Sequence, residues 1–220
     1  MTPIKILHDG GSVLAVRKPA GLSTQAPIGA ESLESRLRDQ LQSRRKYVAF
    51  PHRLDRPVSG VILVALTKRT ARLLSDQFAT RKIEKTYLAW VEGIYAGEEL
   101  WQDSIRKIAD QPRGEVCEES ADGAKQAETK VQIMRSDTKS GRTLLRLSPV
   151  TGRMHQLRIQ AAHRGHAIVG DGVYGSANSG STTAAKSRIF LHAHSITFHD
   201  PKNGRQTRVE CPDDDFDAAV

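Results

Sequence analysis

His52-Arg53-Leu54-Asp55-Arg56-Pro57-Val58-Ser59-Gly60 sets one carboxylate between two arginines and ends on a serine-glycine turn signal. The residues that follow, Val61-Ile62-Leu63-Val64-Ala65-Leu66, are apolar without a break. An apolar run of that length, bounded by Gly60 and Thr67, predicts a strand buried on both faces. Asp55 therefore stands at the entrance to a core strand. Flanking cations favour the ionised form of a carboxylate, which suits a nucleophile better than a general acid. Read alone, the stretch is more simply a turn cap or an arginine partner.

Working outward, residues 12–17 predict a strand that ends at Lys18-Pro19-Ala20-Gly21, where proline and glycine force a turn. A polar loop runs on through Gly29. Leu33, Leu37 and Leu41 recur at helical spacing, so a helix is expected over residues 31–44, closing on Arg44-Arg45-Lys46. Residues 47–50 read as a short strand into the Asp55 loop. Beyond the core strand, Thr67 is the expected N-cap of a helix over residues 68–81, with Ala71, Leu74 and Phe78 on its inner face. Residues 84–92 alternate, which puts Lys85 and Tyr87 on one side of a strand.

Residues 102–125 are polar and charged, interrupted by Pro112, Gly114 and Gly123, and no regular element is expected there. Strands resume over 127–134 and 143–147. Thr151 is the expected cap of a helix reaching about His163, with Gly165 as its stop. On that helix Met154, Leu157 and Ala161 should face the core. His155, Arg158 and Ala162 share another side, and Arg158 sits at the border of the buried stripe. Residues 170–187 form a Gly/Ser/Thr-rich loop, residues 190–197 a late strand and 205–211 a last one. The elements do not alternate regularly, which predicts an α+β fold with a mixed, largely antiparallel sheet.

The chain has 220 residues, enough for one domain or two packed lobes. Neither a signal peptide nor a bilayer-spanning stretch is legible, so a cytoplasmic protein without membrane attachment is expected. A monomer is also expected. Cys117 and Cys211 make no C-x-x-C and indicate neither a disulfide framework nor a zinc knuckle. The formal net charge is +8, although Asp213, Asp214, Asp215 and Asp217 crowd an acidic tail over 212–220 that should fray. The chain before that tail is thus more basic still, which favours a polyanionic partner. Aromatic residues make up only 5%, too few for a broad stacking platform, so a folded RNA held through its phosphates fits better than a long single strand.

His52-Arg53-Leu54-Asp55 followed by Ser59-Gly60 resembles the signature of the RluA-type (RluA/RsuA) RNA pseudouridine synthases. Further blocks of that family stand in the same order: residues 13–22, Lys85-Thr86-Tyr87-Leu88-Ala89, Thr151-Gly152-Arg153-Met154-His155-Gln156-Leu157-Arg158, Gly170-Asp171-Gly172-Val173-Tyr174-Gly175 and Leu191-His192-Ala193. They cover nearly the whole chain. The resemblance implies the pseudouridine synthase fold, with a central bent, mostly antiparallel sheet flanked by helices. It implies one catalytic domain over residues 1–220, with no appended N-terminal RNA-binding module. The implied activity is isomerisation of specific uridines in tRNA, large-subunit rRNA or both, without cofactor or metal.

By the same resemblance Asp55 is the nucleophile, attacking C6 of the uracil or C1′ of the ribose. Arg158 matches the arginine that pairs with that aspartate, and Tyr87 the tyrosine that stacks on the target base. Arg53 contacts RNA or takes the flipped base's place, or else braces its loop. Lys18, Lys85 and Arg153 are candidates for phosphate or loop contacts, and Leu191 for the wall of the uracil pocket. Two positions depart from the family pattern: Val58 stands where threonine is common, and Gln25 where histidine is frequent.

Two other readings compete. A non-catalytic RNA-binding factor keeping the fold should have lost Asp55, Tyr87 or Arg158, and this chain has all three. A metal-dependent hydrolase is suggested by His163/His166 and His192/His194, but no clustered carboxylate or cysteine ligands accompany them.

Overall fold

The run after Asp55 is a strand without an exposed residue, and its neighbours explain why. In chain order the elements are β1 (Ile6–Asp9), β2 (Val13–Lys18), α1 (Leu33–Leu41), β3 (Ser59–Ala65), α2 (Lys68–Ala79), β4 (Glu84–Glu92) and β5 (Leu100–Lys107). They continue with β6 (Gly114–Cys117), β7 (Lys125–Asp137), β8 (Arg142–Pro149), α3 (Gln156–His163), β9 (Leu191–His199) and β10 (Gln206–Glu210). The computed structural model describes residues 2–27, 29–41, 47–175, 188–212 and 216. Arg44-Arg45-Lys46, most of the Gly/Ser/Thr-rich loop and nearly all of the acidic tail lie outside the described residues.

The chain divides into two compact units, Met1–Lys85 with His192–Asp214, and Thr86–Leu191 with Asp215–Val220. In the first, β2 runs antiparallel to β3 from Val13↔Ala65 to Lys18↔Gly60. At its start β3 also pairs in parallel with β9, through Ser59↔His192 and Gly60↔Ala193. The outer strands β1 and β10 join antiparallel to β2 and β9. One apolar face, built from Val13, Ala15, Val61, Leu63, Ala65, Ile196 and Phe198, packs against Leu74 of α2. That helix starts where the sequence predicts: Thr67 is extended, and its hydroxyl accepts from the Thr70 amide at 3.1 Å. Residues 47–50 contribute only an isolated bridge, Ala49↔Ala65, rather than a strand.

The second unit is a fully antiparallel arrangement in the order β4, β8, β7, β5, β6. Here the expectation of no regular element in residues 102–125 is wrong, because β5 and β6 form a paired ribbon and β5 also pairs with β7. Charge disguised these strands. Trp101 and Ile105 are buried, while Asp103 between them accepts hydrogen bonds from Gln160 (2.7 Å) and Arg164 (2.9 Å). A carboxylate can occupy the inner face of a strand when donors are waiting for it.

A second difference concerns α3. It begins at Gln156, and the residue before it, His155, is in the left-handed region at φ 52° with no side-chain cap. Thr151 does not cap it; its hydroxyl accepts from the Glu128 amide and donates to Gln156 Oε1. Met154 is exposed rather than facing the core. From Gln156 to Ala161 every residue is buried, so the helix has no solvent face over that span. Its polar side chains are spent inside: Gln156 on Thr129 and Glu128, Gln160 on Thr129 and Asp103.

Candidate active site

The Asp55 loop is clamped to the segment that follows β2. Thr24 Oγ1 donates to the Leu54 carbonyl at 2.9 Å and accepts from the Leu54 amide at 3.3 Å. The Gly21 amide donates to the Arg56 carbonyl, and Arg56 Nε returns a bond to the Gly21 carbonyl, each at 2.9 Å. Within the loop the Val58 amide closes on the Asp55 carbonyl at 3.0 Å. The residues on both sides of Asp55 are therefore fixed through main-chain atoms. Asp55 itself is half-buried, and Arg53 and Arg56 are exposed.

Lys18 completes the clamp. It is fully buried, and its ammonium donates to the carbonyls of Leu22 (2.7 Å), Pro19 (3.0 Å) and Arg56 (3.2 Å). Three protons meet three carbonyls, which makes Lys18 a loop contact rather than a phosphate contact. Burial lowers its pKa to about 8, and the Asp55 charge acts in the opposite direction. Lys85, half-buried, is likewise lowered to about 8 by burial.

The strand that the loop enters is fastened by two histidines. Ser59 Oγ lies 2.8 Å from His192 Nδ1, and His192 Nε2 lies 2.6 Å from the Cys211 carbonyl. A carbonyl only accepts, so Nε2 carries the proton, and in the neutral ring Nδ1 accepts from the serine hydroxyl. His52 instead accepts the Leu63 amide at Nε2, 2.9 Å away, and stacks at a tilt on Phe78 with centroids 4.7 Å apart.

Burial, helped by the nearby Lys85 charge, holds the His52 imidazole at about 3. The unfolded chain thus takes up this proton first as pH falls. The resulting stability is whole above about pH 6.5 and is lost progressively towards pH 3, by up to about 1.4 kcal/mol per pH unit. His52→Gln, whose amide oxygen can still accept from Leu63, should lose less stability than wild type between pH 6.5 and 4 in urea titrations. Parallel slopes for the two proteins would remove His52 as the cause.

In the second unit, Tyr87 is half-buried on β4 opposite Leu147 of β8. Leu191 is buried at the start of β9. Arg153 Nε donates to the Gln126 carbonyl at 2.9 Å, and its amide donates to Gln156 Oε1 at 3.0 Å. Arg158 is buried and forms a two-bond ion pair with Asp171, Nε to Oδ2 at 2.7 Å and Nη2 to Oδ1 at 2.8 Å. Its Cζ lies 5.1 Å from the Tyr174 ring centroid.

Asp171 and Tyr174 carry no role in the sequence reading, although both stand in a quoted block. A carboxylate between two glycines signals a turn, and nothing in its spacing names an arginine 13 residues earlier as partner. Among the described residues no group of three or more His, Cys, Asp and Glu is arranged to hold a metal ion. None of their helices is long and apolar enough to cross a membrane.

Comparison with known proteins places this geometry. The family model for RNA pseudouridylate synthase matches residues 12–163. The chain is 36% identical to the dual-specificity RNA pseudouridine synthase RluA of Yersinia pestis, over 94% of this chain and 97% of that protein. It is 38% identical to tRNA pseudouridine synthase C of Haemophilus ducreyi, over 90% and 86%. Ribosomal large subunit pseudouridine synthase C of the same organism is 31% identical over 94% of this chain, which spans 65% of that protein. Among solved structures, human RNA pseudouridylate synthase domain containing 1 superposes with a TM-score of 0.76 at 26% identity, over 97% of this chain and 86% of that one.

Proposed function

The chain belongs to the RNA pseudouridylate synthase family, and on that premise we propose that it isomerises uridines of tRNA, of large-subunit rRNA or of both, with Asp55 as nucleophile. The observation that carries the substrate is the end-to-end match to a dual-specificity enzyme, joined by relatives named for tRNA and for the large ribosomal subunit. The reaction runs in the cytoplasm, where both RNAs are found.

The chemistry asks for little beyond a carboxylate and a shaped pocket. The C1′–N1 bond breaks, the uracil turns, a C1′–C5 bond forms, C5 loses its proton and N1 gains one. Atoms and electrons balance without an oxidant. Asp55 supplies the pair that attacks uracil C6 or ribose C1′ and is released when the product forms. A stacked uridine must first leave its helix, at a cost of a few kcal/mol. On the same reading Tyr87 offsets part of that by stacking on the base, Leu191 contacts the uracil, and Arg53, Lys85 and Arg153 contact the RNA backbone. Arg158 supplies a fixed positive charge to the reaction.

The test is tritium release from RNA labelled at uridine C5. The purified chain should release it from tRNA or large-subunit rRNA transcripts, and the converted positions should vanish from RNA of cells lacking the gene. No release from either RNA overturns the proposal. Affinity for a stem-loop carrying the mapped uridine should fall with salt, each neutralised phosphate adding about −0.7 to −0.9 to the slope of log affinity against log salt. A flat titration would show that the basic excess lies away from the RNA.

A further inference from the structure

Arg158 and Asp171 keep only 4% and 0% of their side chains exposed. Their paired bonds, Nε to Oδ2 and Nη2 to Oδ1, fix both the plane and the direction of the guanidinium. The Tyr174 ring bounds the same group. The carboxylate is held in turn, since Oδ1 also accepts from the amides of Val173 (3.0 Å) and Tyr174 (3.2 Å). Tyr174 is anchored at its hydroxyl by the Gly114 amide (2.9 Å) and by His155 Nδ1 (2.8 Å), and His155 keeps a left-handed backbone conformation there. Gly114 of β6, His155 at the head of α3 and the 171–174 turn thus converge on one arginine.

A buried ion pair contributes little stability over an apolar pair of the same volume, so its worth has to be sought in what it orients. We propose that Asp171 is the positioning residue of the uridine isomerisation: it holds the Arg158 guanidinium in one orientation and does not itself touch the RNA. The proposal rests on the reading of Arg158 as a residue of the reaction. A group displaced by about 1 Å can cost about 100-fold in rate.

The test compares Asp171→Asn, Asp171→Glu, Arg158→Ala and the Arg158→Ala/Asp171→Asn double variant. For each, kcat and KM on the mapped stem-loop are measured alongside circular dichroism at the assay temperature. Asp171→Asn should lower kcat about 100-fold with KM within about threefold of wild type. Asp171→Glu, which keeps the charge but moves it by one methylene, should fall between. In the Arg158→Ala background Asp171→Asn should change kcat no further. Wild-type kcat in Asp171→Asn, or the same loss in both backgrounds, overturns the proposal. If Asp171→Asn melts below the assay temperature, wild-type kcat in Asp171→Glu overturns it instead. Wild-type kcat in Arg158→Ala would remove the reading of Arg158, whereas a loss confined to Arg158→Ala would remove only the role of Asp171.

Discussion

Asp55→Asn should abolish pseudouridine formation, lowering turnover by at least about 10³-fold, which corresponds to about 4 kcal/mol of transition-state stabilisation. The amide keeps the size of the carboxylate and removes the charge that the proposed nucleophile needs. Folding should be largely spared, because the bonds from Thr24, Lys18 and Gly21 that hold this loop end on main-chain atoms of Leu54 and Arg56. RNA affinity should stay within a few fold, since the proposed phosphate contacts are made by other residues. The Lys18 ammonium should lose protons more readily in the variant, because the Asp55 charge acts to raise its pKa against the effect of burial. Single-turnover tritium release, a binding titration and a thermal melt of the same preparation check turnover, affinity and folding. A variant that binds, folds and still turns over near the wild-type rate would show that Asp55 is not the nucleophile.

What the sequence showed of the fold divides along physical lines. β3 and α2 were legible because burial and capping are written locally, in an uninterrupted apolar run and in a threonine three residues ahead of the amide it caps. β5 and β6 were not, because Asp103 owes its place inside a strand to Gln160 and Arg164, some sixty residues away. The same blindness affected α3. Arg158 read as a residue at the border of the buried stripe, and nothing in the pattern placed Gln156 or Gln160 inside, yet each is buried with partners that only tertiary structure supplies.

The candidate site follows the same division. The Asp55 turn was visible in Ser59-Gly60. Lys18 was quoted as a phosphate or loop candidate, and its burial under three carbonyls is a tertiary fact. Asp171 was visible only as part of a resemblance, which locates a residue without saying what it touches.

Gly60→Ala should be severely damaging for the addition of a single methyl group. A Cβ at this position would lie 2.3 Å from the Ala193 carbonyl oxygen and 2.5 Å from its amide nitrogen, and the backbone stands at φ +124°. Both atoms in the way are main chain, so no side chain can swing aside. Relief requires that β3 and β9 separate at Gly60↔Ala193, beside the bond from Ser59 to His192. Backbone strain alone costs about 1–3 kcal/mol. With the lost strand pairing the total should exceed about 4 kcal/mol, most of the stability of a domain at the low end of the usual range of about 5–15 kcal/mol. Gly11→Ala separates the two contributions, because that residue also has a positive φ, +82°, but no atom within 4 Å of its would-be Cβ. It should lose only the strain, a modest shift in melting temperature, while Gly60→Ala should fail to give a cooperative melt. Equal shifts in the two variants would mean that β3 and β9 do not approach as closely at Gly60 as this register requires.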